Sequence, residues 1–232
     1  MAKYVGRDTL EVLEGADNYN KWIADSIRKY VKSPALEIGA GTGNISSYFT
    51  DISELTLTDA DPNLVRILEK KFLTKKNIRT ESLDISSNFL SNKNHYKSVY
   101  SVNVLEHIKD DHKALQNMYS LLERHGKAVL LVPAKKYAYN KLDKNLGHFR
   151  RYEKKELSQK MEEANFKVTH LEYFNALGLL SWMVREKVSR SNTQLKHYQV
   201  KLFDLIVPIL EIIEPKKMLP LGISLIAVGE KK

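Results

Sequence analysis

Hydrophobic and polar positions follow two different periods along the first 135 residues. Short apolar runs rich in β-branched residues have the composition of strands and lie at 35–38, 54–59, 78–84, 96–104 and 127–133. Segments with apolar residues at helical spacing accompany them, at 17–31, 45–49, 62–68 and 111–122. Strands that alternate with helices predict a parallel sheet with helices packed on both faces.

The pattern changes after about residue 150. It predicts a helix at 154–164, a strand at 167–173, a long helical region at 176–213 and a last strand at 223–228. Two late strands after five parallel ones favour an antiparallel strand added to the sheet. The predicted fold class is therefore α/β, with a doubly wound, seven-stranded, mostly parallel sheet and an antiparallel last strand. One domain is expected, with the helix at 17–31 and the helical insertion at about 176–215 as lid elements.

The amino-acid composition excludes several kinds of site. The 232 residues include no cysteine, which excludes disulfides, thiolate zinc sites, iron–sulfur clusters and a cysteine nucleophile. The N-terminal residues lack the apolar core of a secretory signal, so we expect a cytoplasmic protein. The net charge of +9 comes largely from scattered lysines, which favours a solvated surface over a nucleic-acid or membrane-binding face.

Three glycines mark the turn after the first predicted strand. Gly39, Gly41 and Gly43 stand at alternate positions in the segment Glu37–Asn44. Glycine permits positive φ angles and a close approach of the backbone to a ligand. The dinucleotide fingerprint requires a glycine where Asn44 stands, which argues against a nicotinamide-linked dehydrogenase.

Acidic residues end the neighbouring strands. Glu37 lies within the end of the first strand, and Asp59 ends the second strand about 20 residues later. A carboxylate in that place can accept hydrogen bonds from a ribose diol. Asp84 follows the third strand and is placed to meet an adenine amino group.

This order of motifs resembles the class I methyltransferase family from about residue 17 to the end. The resemblance implies a Rossmann-like fold, a single class I methyltransferase domain over 1–232, and S-adenosyl-L-methionine as cofactor with S-adenosyl-L-homocysteine as product. Asp59 would bind the ribose hydroxyls, with Asp61 as the less favoured alternative. Asp84 would bind the adenine, and Asn103 would lie beside the sulfonium of the cofactor. The full set of implied cofactor-binding residues is Glu37, Gly39, Ala40, Gly41, Gly43, Asp59, Ala60, Asp84, Ile85 and Asn103.

The segment Gly147–Tyr152 resembles a run found in a bacterial branch of small-molecule and lipid-type methyltransferases. His148 within it, or His107 after the fourth strand, is the predicted catalytic base. The predicted substrate-binding residues are Tyr19, Arg150, Arg151 and Tyr152. The alternatives are structural: histidines that cap loops, arginines that brace the sheet edge through internal acids, and a tyrosine that only packs.

The predicted reaction is methyl transfer to an oxygen, ahead of a nitrogen, of a small-molecule or lipid-like acceptor. Such a displacement requires no metal, and no metal site is predicted. Nucleic-acid methylation is disfavoured because the fourth strand lacks the Asn/Asp-Pro-Pro-aromatic run used on exocyclic amines. A non-catalytic module that binds S-adenosylmethionine is a further alternative. The apolar segment 202–213 is interpreted as a buried helix ahead of a lid or a peripheral membrane contact, and no pattern indicates an oligomeric state.

Overall fold

One sheet organises the molecule, which is known here from a computed structural model that describes residues 15–88, 93–179, 197–214 and 221–232. Its seven strands lie in the order β3-β2-β1-β4-β5-β7-β6. Their bounds are Ala35–Ile38 (β1), Leu55–Asp59 (β2), Ile78–Ser82 (β3), Tyr96–Val102 (β4), Leu122–Pro133 (β5), Phe166–Phe174 (β6) and Ser224–Lys231 (β7).

The strand directions confirm the predicted topology. β1 pairs in parallel with both β2 and β4, and β3 and β5 continue the parallel arrangement on either side. β7 is antiparallel to β5 and to β6, between which it lies. The strand order reverses at β1, and the carboxyl ends of β1 and β4 therefore flank the crevice in which open α/β sheets bind their ligands.

Helices cover both faces of the sheet. The α-helices with defined bounds are Asp17–Arg28 (α1), Pro62–Lys71 (α2), Asp111–Leu121 (α3), Lys141–Leu146 (α4), Lys154–Glu163 (α5) and His197–Ile213 (α6). β5 shows why two layers form, because its successive side chains point to opposite faces. Leu130 and Val132 join the core beneath α3 and α5, while Val129 and Leu131 join the core beneath α1 and α2.

Some local predictions need correction. The segment predicted as a helix at 45–49 is a short 3₁₀-helix, Ser46–Phe49. α4 was not predicted. The interpretation of 202–213 as a buried helix is wrong for most of its apolar side chains, which are exposed on α6, because only one side of this helix, including Val207, packs against the rest of the molecule. Of the helical insertion expected at about 176–215, residues 180–196 and residue 215 lie outside the described residues.

α6 docks on the start of α1. The Asp204 carboxylate accepts the backbone N–H of Tyr19 at 2.8 Å and that of Asn18 at 3.2 Å. α1 has no side-chain cap of its own at Ala16, so Asp204 satisfies N–H groups that the helix leaves unpaired. The tertiary contact thereby fixes the N-terminus of α1 against α6.

Candidate functional site

The glycine turn after β1 depends on backbone angles that favour glycine. Gly39, Gly41 and Gly43 have φ angles of 67°, 58° and 77°, in the left-handed region. A Cβ atom built on Gly39 would also lie 2.6 Å from Val104 Cγ2. The turn therefore requires glycine at position 39 both for its conformation and for its packing.

Asp59 ties this turn to the end of β2. Its Oδ2 accepts the Gly41 N–H at 3.0 Å and its Oδ1 accepts the Asp61 N–H at 2.9 Å. Burial raises the pKa of Asp59, and these backbone hydrogen bonds act against that rise. The neighbouring Asp61 carboxylate is occupied as the N-cap of α2, where it accepts the Asn63 N–H at 2.9 Å.

Glu37 lies under the turn and is only 2% exposed. Its Oε2 accepts the Ser46 hydroxyl at 2.6 Å and the Tyr100 hydroxyl at 2.9 Å. Burial raises its pKa to about 7, against the two hydrogen bonds that lower it. Glu37 thus connects β1, β4 and the 3₁₀-helix beneath the glycine turn.

The other predicted cofactor residues lie at the same edge of the sheet or just beyond it. Ala40 is buried in the turn, and Ile85 is buried after β3. Asp84 is exposed and accepts the Ser86 N–H at 2.9 Å, while Ala60 is exposed after β2. Asn103 is exposed at the end of β4 with a φ angle of 53°.

This arrangement fits an adenosyl ligand. A carboxylate can accept about four hydrogen bonds, so Asp59 keeps acceptor capacity for a ribose hydroxyl beyond its two backbone partners. The glycine turn places backbone, without side chains, directly beside that carboxylate.

A second group of polar side chains, here called the two-histidine cluster, consists of Glu106, His107 and His148. Each offers one ligand atom, and these atoms lie within 4.8 Å of one another. The two imidazole rings meet edge to face with 4.6 Å between centroids. His148 Nε2 lies 4.0 Å from Glu106 Oε1.

Buried charge surrounds this cluster. Asp143 Oδ1 lies 2.8 Å from His148 Nδ1, and because a carboxylate only accepts hydrogen bonds, Nδ1 carries the proton. Burial lowers the pKa of His107 to about 4, assisted by the nearby His148. Burial raises the pKa of Glu106 to about 8, with Asp143 adding to the rise and Arg151 opposing it.

Arg151 lies behind the histidines and is 3% exposed. Its Nε donates to both Asp143 oxygens, at 2.9 and 3.0 Å, and its Nη1 donates to the Ala134 carbonyl at 3.2 Å. These contacts are those of the bracing alternative, although acceptor binding by Arg151 stays a prediction.

The Asp111 carboxylate binds the side chains of Arg150 and Tyr152. It accepts the Tyr152 hydroxyl at 2.9 Å and pairs with Arg150 Nη1 at 2.7 Å and Lys160 Nζ at 2.9 Å. Tyr152 is fully buried. Arg150 and Tyr152 therefore join the end of the sheet to α3 and α5, and their predicted contact with substrate stays a prediction.

Tyr19 is half-buried on α1, and its ring packs edge-on against Phe203 of α6 with 5.7 Å between centroids. Burial raises the pKa of its hydroxyl, and a hydrogen bond with the Asn175 side chain opposes that rise. The packing alternative accounts for the ring, while substrate binding by Tyr19 also stays a prediction.

A protein-family model described as a methyltransferase domain matches residues 16–171. The chain belongs to this methyltransferase family. The methyltransferase uses S-adenosylmethionine as its methyl donor. No curated protein matches it in sequence.

Solved structures share the fold of this methyltransferase at low sequence identity. A possible histamine N-methyltransferase from Thermotoga maritima has a TM-score of 0.67 at 13% identity, with 98% of each chain covered. A putative methyltransferase of Haloferax volcanii, solved in complex with a methyltransferase activator, has a TM-score of 0.68 at 12% identity, covering 98% of this chain and 93% of that one. Phosphoethanolamine N-methyltransferase 2 of Haemonchus contortus, solved with S-adenosylmethionine, has a TM-score of 0.63 at 14% identity, covering 92% and 52%.

Sequence reasoning missed two acids of the methyltransferase that the fold brings to His148. Asp143 lies in α4, whose N-terminal capping box with Asn140 was the local signal for a helix there. Glu106 adjoins His107 in sequence, but its burial follows from tertiary contacts, including the Phe149 N–H that donates to the Glu106 carbonyl. Within the described stretches, none of the helices has the length and apolar character to cross a bilayer.

Proposed function

We propose that this methyltransferase transfers the methyl group of S-adenosylmethionine to an oxygen of a small-molecule or lipid-like acceptor, with His148 as the base. The observation that carries the proposal is the hydrogen bond from His148 Nδ1 to the buried Asp143 carboxylate. An alcohol must lose its proton as its oxygen attacks, and an imidazole held by a carboxylate is a suitable acceptor for that proton.

The bound cofactor supplies a sulfonium methyl group: a carbon–oxygen bond forms to the acceptor, the sulfur–carbon bond breaks, and the electron pair of that bond stays on sulfur. His148 Nε2 takes the proton that the acceptor oxygen loses. Asp143 then stabilises the imidazolium, since its carboxylate already accepts the Nδ1–H. Asp59 and the glycine turn hold the donor, which converts the encounter into a positioned displacement.

His148 suits this role better than His107. The pKa of His107 is lowered to about 4 by burial and by the neighbouring imidazole. An imidazole with so low a pKa binds a proton too weakly to serve as an efficient general base near neutral pH. His107 is therefore assigned to orienting the site, with proton removal assigned to His148.

Oxygen is favoured over nitrogen on chemical grounds. Two structural neighbours are named as N-methyltransferases, for histamine and for phosphoethanolamine. A neutral amine attacks with its own lone pair and releases its proton afterwards, so it has less need of a positioned base. The Asp143–His148 pair supports an acceptor hydroxyl instead.

The apolar surface of α6 supports a lipid-like acceptor. Large hydrophobic side chains that are exposed on this helix include Leu202, Leu205, Ile206, Ile209, Ile212 and Ile213. Contiguous exposed apolar residues are typical of surfaces that bind ligands, partners or membranes. An acceptor with an alkyl chain would cover part of this face.

The test is a screen of acceptors with methyl-labelled S-adenosylmethionine. The acceptors are compared in pairs, one with a hydroxyl group and the other with an amino group at the same position. Each pair is used in a form with an alkyl chain and a form without one. We expect label on the alkyl hydroxyl compounds and loss of transfer in His148→Asn. Labelling of amines alone would overturn the assignment to oxygen. Labelling of short-chain and long-chain alcohols at equal rates would overturn the lipid-like assignment.

A further inference from the structure

The two-histidine cluster has a ligand set that methyl transfer by itself does not require. We propose that Glu106, His107 and His148 bind a divalent transition-metal ion, with Zn²⁺ as the type case. Their candidate ligand atoms lie within 4.8 Å of one another. Two imidazoles with one carboxylate form a recurrent set for such ions.

The buried Glu106 carboxylate is the main observation in favour of a cation site. The residue is fully buried, and within residues 15–88, 93–179, 197–214 and 221–232 neither of its oxygens has a hydrogen-bond partner on another residue. Such an unsatisfied buried group is costly and calls for a specific explanation. Glu106 Oε1 faces His148 Nε2 across 4.0 Å, so an ion between these two atoms would satisfy the carboxylate.

The two histidines make hydrogen bonds behind the proposed ion of the kind that is found around metal-binding histidines. Such histidines almost always donate their second ring N–H to a carboxylate or a backbone carbonyl. His148 donates Nδ1–H to Asp143, and His107 makes a hydrogen bond with the backbone of Gly147. Asp143 is itself held by Arg151 at 2.9 Å. Both rings are thereby oriented, and His148 presents Nε2 toward Glu106.

The spacing suits a small ion after a modest closure. Bonds of about 2.1 Å in a tetrahedral zinc site separate neighbouring ligand atoms by about 3.4 Å. The Glu106 and His148 atoms are 4.0 Å apart and all three ligand atoms lie within 4.8 Å of one another, so side-chain movements that shorten these separations by about 0.6 to 1.4 Å would complete the site. Three protein ligands leave one coordination position open, as in catalytic rather than structural zinc sites.

The open position gives the ion a role that rests on the proposed function. An acceptor hydroxyl bound there would become more acidic, as metal-bound water does, and would release its proton to solvent water. His148 Nε2 would then bind the ion instead of taking the proton. Metal-bound and metal-free protein therefore differ in how the acceptor oxygen is activated, and chelation separates the two states.

The binding test uses the full chain after chelator treatment, titrated with Zn²⁺ by calorimetry and with Co²⁺ by visible absorption. We expect one tight ion per chain, with affinity at least tenfold lower in Glu106→Gln and in His148→Asn. The exposed His95 is the matched control, and His95→Asn should bind as the parent does. Absence of stoichiometric binding, or binding that survives both cluster substitutions, overturns the site.

A parallel titration with S-adenosylhomocysteine keeps the two proposals distinguishable. Chelated protein should bind this ligand as tightly as zinc-loaded protein does, because the proposed ligands of the ion do not include Asp59 or the glycine turn. Failure of S-adenosylhomocysteine to bind would count against the proposed function and leave the zinc titration to decide the site. Equal methyl transfer before and after chelation would overturn the activating role of the ion.

Discussion

His148 and Asp143 form a hydrogen-bonded pair with 2.8 Å between Nδ1 and Oδ1, and the Asp143 side chain is completely buried. The His148 side chain keeps 10% of its surface exposed, which is enough for contact with a ligand. The carboxylate fixes one tautomer of the imidazole and leaves Nε2 as the nitrogen that can accept a proton or a metal ion.

Replacing His148 with asparagine tests its catalytic role. We expect kcat to fall by about 10²- to 10⁴-fold, the usual contribution of a positioned base, while the affinity for S-adenosylhomocysteine changes by less than about twofold. Steady-state kinetics and calorimetry on His148→Asn and on the exposed control His95→Asn would check this. A variant that retains kcat within about threefold of the parent would contradict the assignment.

Arg151→Gln separates the bracing role of this arginine from substrate binding. Removing one partner of a buried ion pair typically costs about 3–5 kcal/mol, because Asp143 would keep a buried charge without its guanidinium. We expect the free energy of unfolding in urea to fall by about 3 kcal/mol. Arg150→Gln should cost less, since Arg150 is partly exposed and Asp111 keeps Tyr152 and Lys160. Unchanged stability with a raised KM would instead favour acceptor binding by Arg151.

Glu37 should make stability fall as pH rises from about 4.5 to 7. Its folded-state pKa of about 7 lies above the ordinary value of 4.5, so the folded protein holds the proton more tightly than the unfolded chain. The favourable contribution of Glu37 to the free energy of unfolding is complete below pH 4.5. It is lost as the pH rises through the folded-state pKa. Complete loss amounts to about 3 kcal/mol at most.

Glu37→Gln isolates this effect because the amide oxygen can still accept the Ser46 and Tyr100 hydroxyls. We expect the variant to gain stability relative to the parent between pH 5 and pH 8, as measured by urea unfolding at each pH. The exposed Glu69 provides a control, and Glu69→Gln should show no comparable trend. A stability difference between Glu37→Gln and the parent that is constant across this range would refute the shifted pKa.

Gly39→Ala should destabilise the turn by about 2 kcal/mol or more, because a left-handed residue with a Cβ costs about 1–2 kcal/mol and overpacking adds to it. The added atom would meet Val104 Cγ2 at 2.6 Å. The double variant with Val104→Ala should relieve the packing part only. Thermal or urea unfolding of the two variants measures each part, and a single variant as stable as the parent would show that the turn accepts a side chain.

The sheet was predictable because each strand carries a local apolar run and each helix its own period. Pro62 after Asp61 marked the start of α2, where Asp61 is the N-cap. The antiparallel direction of β7 could be predicted because two strands remained after the parallel series, but its insertion between β5 and β6 had no local signal. The helix predicted at 45–49 is present as a 3₁₀-helix, a type that five residues of sequence cannot distinguish from an α-helix.

The sequence located the glycine turn and the acids at the strand ends, but it did not locate side chains whose surroundings depend on burial. Gly39 and Asp59 stand out from strand ends and spacing alone. Glu106 acquires its importance from a contact between segments about 40 residues apart, the 4.0 Å approach of its Oε1 to His148 Nε2. Asp143 lies only five residues before His148, but its pairing with the imidazole depends on α4, which was not predicted. Asp204, which caps α1 from a position 185 residues away from Tyr19, likewise has no local signal.

Calorimetric titration with S-adenosylmethionine and S-adenosylhomocysteine tests the account most directly, with NAD as the control ligand. Asp59→Asn should lower the affinity for both adenosyl ligands at least tenfold. The control is Asp61→Asn, which makes the same charge change at a position where asparagine also caps a helix well. This control should bind both ligands as the parent does. Binding of NAD without binding of either adenosyl ligand, or equal binding by the parent and Asp59→Asn, would contradict the assigned cofactor site.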